Sequence, residues 1–213
     1  MRGYYAILDA TPDQLTDAGA IDSRAKAMLA AGPCCLQLRA KAASARAIEA
    51  AGRRLSTLCR AARIPFCVND RLDVALAIGA DVVHLGQDDL SLADAQRVRV
   101  AAGRIDLLIG FSTHNRAQAV AAAAAGADYI GFGPVFGTRS KANPDPTVGL
   151  EALTEICRAV TVPVVAIGGI ALDAVPMVAR AGASAAAIIA AIDGAPDPTA
   201  AGRAVAAAFA RPR

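Results

Sequence analysis

Residues 37–41 read Gln-Leu-Arg-Ala-Lys, an amide and two cations at alternate positions. In an extended chain alternate side chains share a face, so Gln37, Arg39 and Lys41 point together while strand geometry lasts. Two cations beside an amide suit a phosphate or diphosphate, which accepts charge-assisted hydrogen bonds from both. Polar residues alternating with Leu36 and Leu38 inside a covered sheet need a reason, which favours a functional reading of Gln37 and Arg39. Lys41 alone would pass for a solvated loop charge.

Carboxylates come next along the chain. Asn69-Asp70 and Gly86-Gln87-Asp88-Asp89 each follow an apolar run. Carboxylates on adjacent strand ends can share a Mg²⁺ with substrate phosphates. Helix capping competes on nearly equal terms, since Asp70 precedes a helical stretch and Asp88, Asp89 or Ser91 could cap the next. Residues 110–115, Gly-Phe-Ser-Thr-His-Asn, offer Ser112 and His114, and capping again accounts economically for Ser, Thr and Asn. A lone His is more often structural than acid/base. His84, inside an apolar run, reads as an internal packing or hydrogen-bonding residue. Thr138, Arg139, Ser140 and Lys141 put two hydroxyls and two cations in four residues, a stretch able to clamp a phosphate and move with it. Gly168-Gly169 and the run 188–190 close two late apolar segments, where backbone N–H groups can approach a phosphate at a helix start.

A scaffold must bring these positions together. Segments 78–87, 125–134 and 181–190, and more weakly 31–40, each place a helix-terminating Gly before a short apolar run. The glycines are 32, 79, 126 and 182, at steps of 47, 47 and 56 residues. Further strand-like runs at 66–69, 107–110 and 164–167 lie between them, and another at 4–8 stands at the start. Helical stretches fall at 46–62, 92–102, 116–125 and 172–180. The chain therefore reads as eight strand-then-helix units, two per step, which predicts a parallel sheet. Eight units with an even internal repeat favour a closed, single-domain (β/α)8 TIM barrel over residues 1–213, with a doubly wound open sheet as runner-up. The excess in the third step falls in a polar, Pro-rich loop at about 134–148, after the sixth strand. A barrel collects its chemistry at the C-terminal strand ends, which is where the candidate cations, carboxylates, hydroxyls and the Gly168-Gly169 pair fall, with His84 inside its strand.

Composition narrows the class. The 213 residues are 55% hydrophobic and 19% charged, far too apolar for a disordered chain. No run of about 18 strongly apolar residues predicts a membrane span. A net charge of +3 without a basic block, with 4% aromatics and no Trp, argues against a nucleic-acid partner. The five cysteines form no CxxC, and several sit in strand-like runs as small hydrophobes, so neither a disulfide framework nor a zinc site is expected. The expected compartment is the cytoplasm.

The segments QLRAK (37–41), VND (68–70), HLGQDDL (84–90), GFSTHN (110–115), DYIGFGPVFGTRSK (128–141), VGLE (148–151) and VVAIGGI (164–170) together resemble the thiamine phosphate synthase family, in its order and spacing. The resemblance implies a transferase. It joins 4-amino-5-hydroxymethyl-2-methylpyrimidine diphosphate to 4-methyl-5-(2-phosphoethyl)thiazole, or its carboxylated form, and releases pyrophosphate by a dissociative, Mg²⁺-assisted substitution. Carried over by position, Gln37, Arg39, Lys41 and Asn69 hold the pyrimidine diphosphate, and Asp70 and Asp89 hold Mg²⁺. Ser112 and Lys141 contact the departing pyrophosphate, and Arg39 serves both binding and catalysis. Thr138, Arg139 and Ser140 face the thiazole phosphate with Gly169 and the Ile189-Ala190 backbone. Two positions depart from the family: Ser140 stands where Thr is usual and keeps the hydroxyl, while Ala190 stands where Ser is usual and loses it. The implied partners are these small molecules. Oligomeric state is left open, a homodimer included.

Two readings from other classes stand beside the transferase. A thiazole tautomerase on the same barrel would use His114 as acid/base and would need neither the carboxylate pair nor the diphosphate clamp. A non-catalytic phosphate-ligand binder rests on Ala190 alone and predicts binding without turnover.

Overall fold

The computed structural model describes residues 1–137 and 145–210. Among them, eight strands close a parallel barrel in sequence order: β1 (Gly3–Asp9), β2 (Cys35–Arg39), β3 (Phe66–Asn69), β4 (Val82–Leu85), β5 (Leu108–Thr113), β6 (Tyr129–Phe132), β7 (Val164–Ile167) and β8 (Ala185–Ile188). β8 returns to β1, with Gly3 opposite Ala185. The closed barrel thus holds and the open-sheet alternative falls. Helices fill the crossovers: α1 (Pro12–Thr16) and α2 (Ala18–Ala30), then α3 (Ala45–Ala62), α4 (Leu72–Ile78), α5 (Leu92–Ala101), α6 (Arg116–Ala124), α7 (Gly149–Ala159), α8 (Val175–Arg180), α9 (Ala190–Asp193) and α10 (Pro198–Ala210).

The helices form for local reasons and bind the barrel through apolar stripes. α3 opens on Ser44, whose hydroxyl accepts from the Ala47 N–H, and buries Ile48, Ala51, Leu55 and Cys59 at three- to four-residue spacing. The stretch read as one helix over 172–180 is instead a 3₁₀ turn, Leu172–Ala174, followed by α8. Pro176 explains the break, because proline fits only the first turn of a helix. Among the described residues no helix is long and apolar enough to cross a membrane.

Strand alternation sorts the core into two shells. Tyr4, Ala6 and Leu8 of β1 face the helices, as do Leu36, Leu38, Phe66, Val68, Val83 and Leu85. Tyr5, Ile7, Cys35, Cys67, Val82, Tyr129, Val165, Ala185 and Ala187 fill the barrel interior. Most of these inner side chains are small, and the two tyrosines take up the remaining volume. Gly110 lies opposite Tyr129 in the β5–β6 register, and a Cβ on it would overlap the Tyr129 ring.

Strand five runs further than the sequence pattern indicates. The run read at 107–110 continues to Thr113, which pairs with Phe132. Ser112 therefore sits on a strand and not in a loop, and a strand holds a side chain in place more firmly. After β6, residues 133–137 and 145–148 carry neither helix nor strand, and α7 begins at Gly149. Of the loop expected at 134–148, residues 138–144 lie outside the described residues, Thr138, Arg139, Ser140 and Lys141 among them.

Candidate active site

The C-terminal ends of β2 to β5 gather the residues read from the sequence. Cys35 and Cys67 point inward, so Gln37, Arg39 and Asn69 share their side of the sheet. Gln37 is 3% exposed; its amide Nε2 donates to the Tyr5 hydroxyl at 3.0 Å and reaches Cys67 Sγ at 3.7 Å. It forms the floor of the mouth. Arg39 stands above it, and its Nη1 donates to Asp9 Oδ1 at 2.6 Å. Arg24 Nη2 in turn donates to the Asp9 carbonyl at 3.2 Å, which ties α2 to the end of β1. A cavity of about 240 Å³ opens here, lined by Asp9, Gln14, Arg39 and Lys41.

Lys41 Nζ lies 3.6 Å from Asp70 Oδ2. Asp70 has φ +64°, the left-handed region, which Asp tolerates better than most residues. Its N–H donates to the His84 carbonyl at 2.8 Å, which pins the turn to β4. Burial, and then the charge of Asp89 beside it, push the Asp70 carboxyl up to about 6, while Lys41 acts in the opposite direction. Asp89 Oδ2 accepts from the Gly86 N–H at 2.6 Å. Two carboxylates held this close, with a lysine as partial counter-charge, form a donor set suited to a hard divalent cation. Among the described residues no cluster of three or more His, Cys, Asp or Glu forms a metal site. A cation on Asp70 and Asp89 would thus complete its shell with ligand oxygens and water.

The competing role of helix capping is settled element by element. At α4 the cap position is Arg71, with no side-chain cap bond. α5 is capped by Ser91, which accepts from the Asp94 N–H. α6 is capped by Asn115, which accepts from the Gln118 N–H. Asp70, Asp89 and Ser112 are all released from capping. Both ring nitrogens of His114 face protein groups: Nδ1 lies 2.6 Å from the Gly133 carbonyl and Nε2 3.5 Å from Asp145.

Ser112 has a partner that the sequence reading missed. His84 Nε2 lies 2.9 Å from Ser112 Oγ, and His84 Nδ1 lies 3.0 Å from the Tyr129 hydroxyl. Tyr129 in turn meets Tyr5 at 2.9 Å, oxygen to oxygen. The available signal was parity: Tyr5, Gln37, His84 and Tyr129 all stand at inward positions of their strands. The Gln87 side chain donates to the Ser112 carbonyl at 2.6 Å and ties the β4 loop to β5.

On the far side of the mouth, Gly168 and Gly169 have φ +95° and +62°. A Cβ on Gly169 would overlap the Gly137 carbonyl oxygen, and the Phe136 N–H donates to the Gly168 carbonyl at 3.0 Å. The glycine pair thus seats the start of the long loop against β7. Ile189 and Ala190 lie at the start of α9, which has no side-chain cap.

Fold and site together define a (β/α)8 barrel with cations, carboxylates and a serine converging at the C-terminal mouth. The chain belongs to the thiamine monophosphate synthase family, whose model matches residues 4–192. It is 49% identical over 187 residues to a thiamine-phosphate synthase of Anaeromyxobacter dehalogenans, covering 88% of this chain and 82% of the relative. It is likewise 49% identical over 179 residues to one from Roseiflexus castenholzii, covering 84% of this chain and 77% of that one. Among solved structures, a thiamine phosphate pyrophosphorylase from Pyrococcus furiosus superposes with a TM-score of 0.83 at 33% identity, covering 98% of this chain and 95% of that one. A 3-hexulose-6-phosphate synthase, 18% identical with a TM-score of 0.69, shares the fold.

Proposed function

We propose that this chain is a transferase that makes thiamine phosphate from 4-amino-5-hydroxymethyl-2-methylpyrimidine diphosphate and 4-methyl-5-(2-phosphoethyl)thiazole. The observation that carries this reading is the convergence of Arg39, Lys41, Asp70, Asp89 and Ser112 in one mouth, in a chain 49% identical to synthases over most of its length. The C–O bond between the pyrimidine methylene and the diphosphate breaks, and pyrophosphate leaves with the electron pair. The aminopyrimidine stabilises the cation that remains. The thiazole nitrogen then supplies the pair for the new C–N bond.

The protein's share is positioning and stabilisation of the leaving group. Gln37 and Asn69 orient the pyrimidine from the floor, and Arg39 and Lys41 hold the diphosphate. Asp70 and Asp89 would hold Mg²⁺, which when bound neutralises charge building on the diphosphate. Ser112 and Lys141 donate to the departing pyrophosphate. Thr138, Arg139, Ser140, Gly169 and the Ile189-Ala190 backbone receive the thiazole phosphate. Residues 1–213 act as one domain, with the 134–148 loop contributing to the active site. Cys35, Cys59 and Cys67 are buried free thiols, which supports a cytoplasmic setting.

The test is thiamine phosphate formation from the two substrates, with and without Mg²⁺, beside Asp70→Ala. Metal-dependent product that the substitution abolishes is the expected result. Both substrates binding by calorimetry with no product would overturn the reading in favour of a non-catalytic binder.

A further inference from the structure

Five polar side chains run in single file from the barrel interior to the mouth: Gln37, Tyr5, Tyr129, His84 and Ser112. The successive contacts are 3.0, 2.9, 3.0 and 2.9 Å. The first four come from β2, β1, β6 and β4, and only the two ends of the file, Gln37 and Ser112, have a role in the proposed reaction, so Tyr5, Tyr129 and His84 are left unexplained. Such a chain has two polarities, and they differ at the last atom. In one, Ser112 accepts from His84 and its own hydrogen is left for a ligand. In the other, Ser112 gives its hydrogen to His84 and can only accept.

The direction follows from the donor inventory. The Gln37 amide nitrogen only donates, so the Tyr5 oxygen accepts there. Burial holds the Tyr5 and Tyr129 phenols well above their usual range, so both keep their hydrogens. The sulfur of Cys67 lies beside both phenols, but it is a weak acceptor for either hydrogen, so Tyr5 donates to its oxygen neighbour Tyr129. The Tyr129 hydrogen passes to His84 Nδ1, which leaves the imidazole proton on Nε2, facing Ser112 Oγ. A doubly protonated His84 would also donate from Nε2, so the direction at Ser112 does not depend on its charge.

We infer that Gln37, Tyr5, Tyr129 and His84 form a one-way hydrogen-bond chain that makes Ser112 an acceptor inside the protein and therefore a donor toward the departing pyrophosphate. The inference rests on the assignment of Ser112 to the leaving group. Tyr129 and His84 are positioning residues in it, because they act only through Ser112. The need of a developing anion is for donors already aimed before the charge appears.

Two measurements test it. The chain holds only two histidines, His84 and His114. Nitrogen-15 NMR of histidine-labelled protein at pH 8, with His114→Gln for assignment, reads the tautomer directly and needs no activity. A protonated Nε2 on His84 is expected, and a proton on Nδ1 overturns the inference. In steady-state kinetics, Tyr129→Phe should lower kcat about tenfold and leave both KM values within about twofold. The same substitution should cost nothing further in a Ser112→Ala background. His84→Gln, whose amide nitrogen can still donate to Ser112, should keep kcat within about threefold, while His84→Leu falls to the Ser112→Ala level. Equal losses from Tyr129→Phe in both backgrounds would mark a merely structural role and overturn the inference. No product from the unmodified chain would overturn the functional reading and leave the tautomer result standing, so the two fail separately.

Discussion

Asp9 holds Arg39 in a 2.6 Å ion pair at the paired ends of β1 and β2. Both side chains are largely buried, at 29% and 19% exposure. The pair fixes the guanidinium before any ligand arrives, which spares the ordering cost of a long side chain, about 1 kcal/mol. The Asp9 charge also opposes an incoming anion. Asp9→Asn removes the charge and keeps an acceptor for Arg39. Asp9→Ala removes both. The expected result is a KM for the pyrimidine diphosphate within about twofold of the original for Asp9→Asn, and about fivefold higher for Asp9→Ala. Lower KM in both variants would show that charge outweighs orientation at this pair.

Asp70 and Asp89 set function against stability. Burial and a like charge both act against an ionised Asp70, and Lys41 offsets them only in part. Asp70→Asn keeps the volume, and Asn also tolerates the left-handed backbone at φ +64°. The variant should therefore raise the unfolding free energy of the ligand-free protein by about 1 kcal/mol, read as a higher urea midpoint, and lose at least about 100-fold in kcat. Chelation of divalent cations should abolish activity of the unmodified protein and leave its urea midpoint unchanged. A destabilised Asp70→Asn would mean that the Lys41 pair outweighs the repulsion.

Gly110 makes room for Tyr129, which a Cβ at this position would overlap. Tyr129 is 1% exposed inside a closed barrel and has little space into which to move. Gly110→Ala should cost about 2–3 kcal/mol in urea unfolding, the usual size of an overpacking loss. Tyr129→Leu in the same background should recover part of that loss, because the two positions share one contact. Additive losses would place the strain elsewhere.

The fold was legible because the strands carry local signals: an apolar run in each, and a helix-terminating glycine before β2, β4, β6 and β8. QLRAK reveals its inward face by alternation alone, and the structure places Gln37 and Arg39 together as that alternation requires. The carboxylates were less legible. Asp70, Asp89 and Ser112 are residue types that cap helices as readily as they bind ligands, and only the actual cap positions, Arg71, Ser91 and Asn115, separate the two roles. The chain from Tyr5 to Tyr129 was not legible. Its members lie 124 residues apart and meet across the barrel interior, a contact set by strand register and tilt and not by local pattern. The Asp9–Arg39 pair was hidden similarly, since it depends on β1 and β2 ending level.

Ala190 tests how far a single lost hydroxyl matters. It is the first residue of α9, which begins without a side-chain cap just beyond β8. The backbone N–H groups at this start remain available to a phosphate. A serine here would add one hydroxyl donor to a charged acceptor, a bond worth about 1.5 kcal/mol at the lower end of its range. Ala190→Ser should then lower the KM for the thiazole phosphate about tenfold and change kcat little, because a group remote from the breaking C–O bond contributes to binding alone. The KM for the pyrimidine diphosphate should not move, and that serves as the internal control. A fall in both KM values, or in neither, would remove the phosphate from the β8 end and assign its recognition to other elements of the mouth.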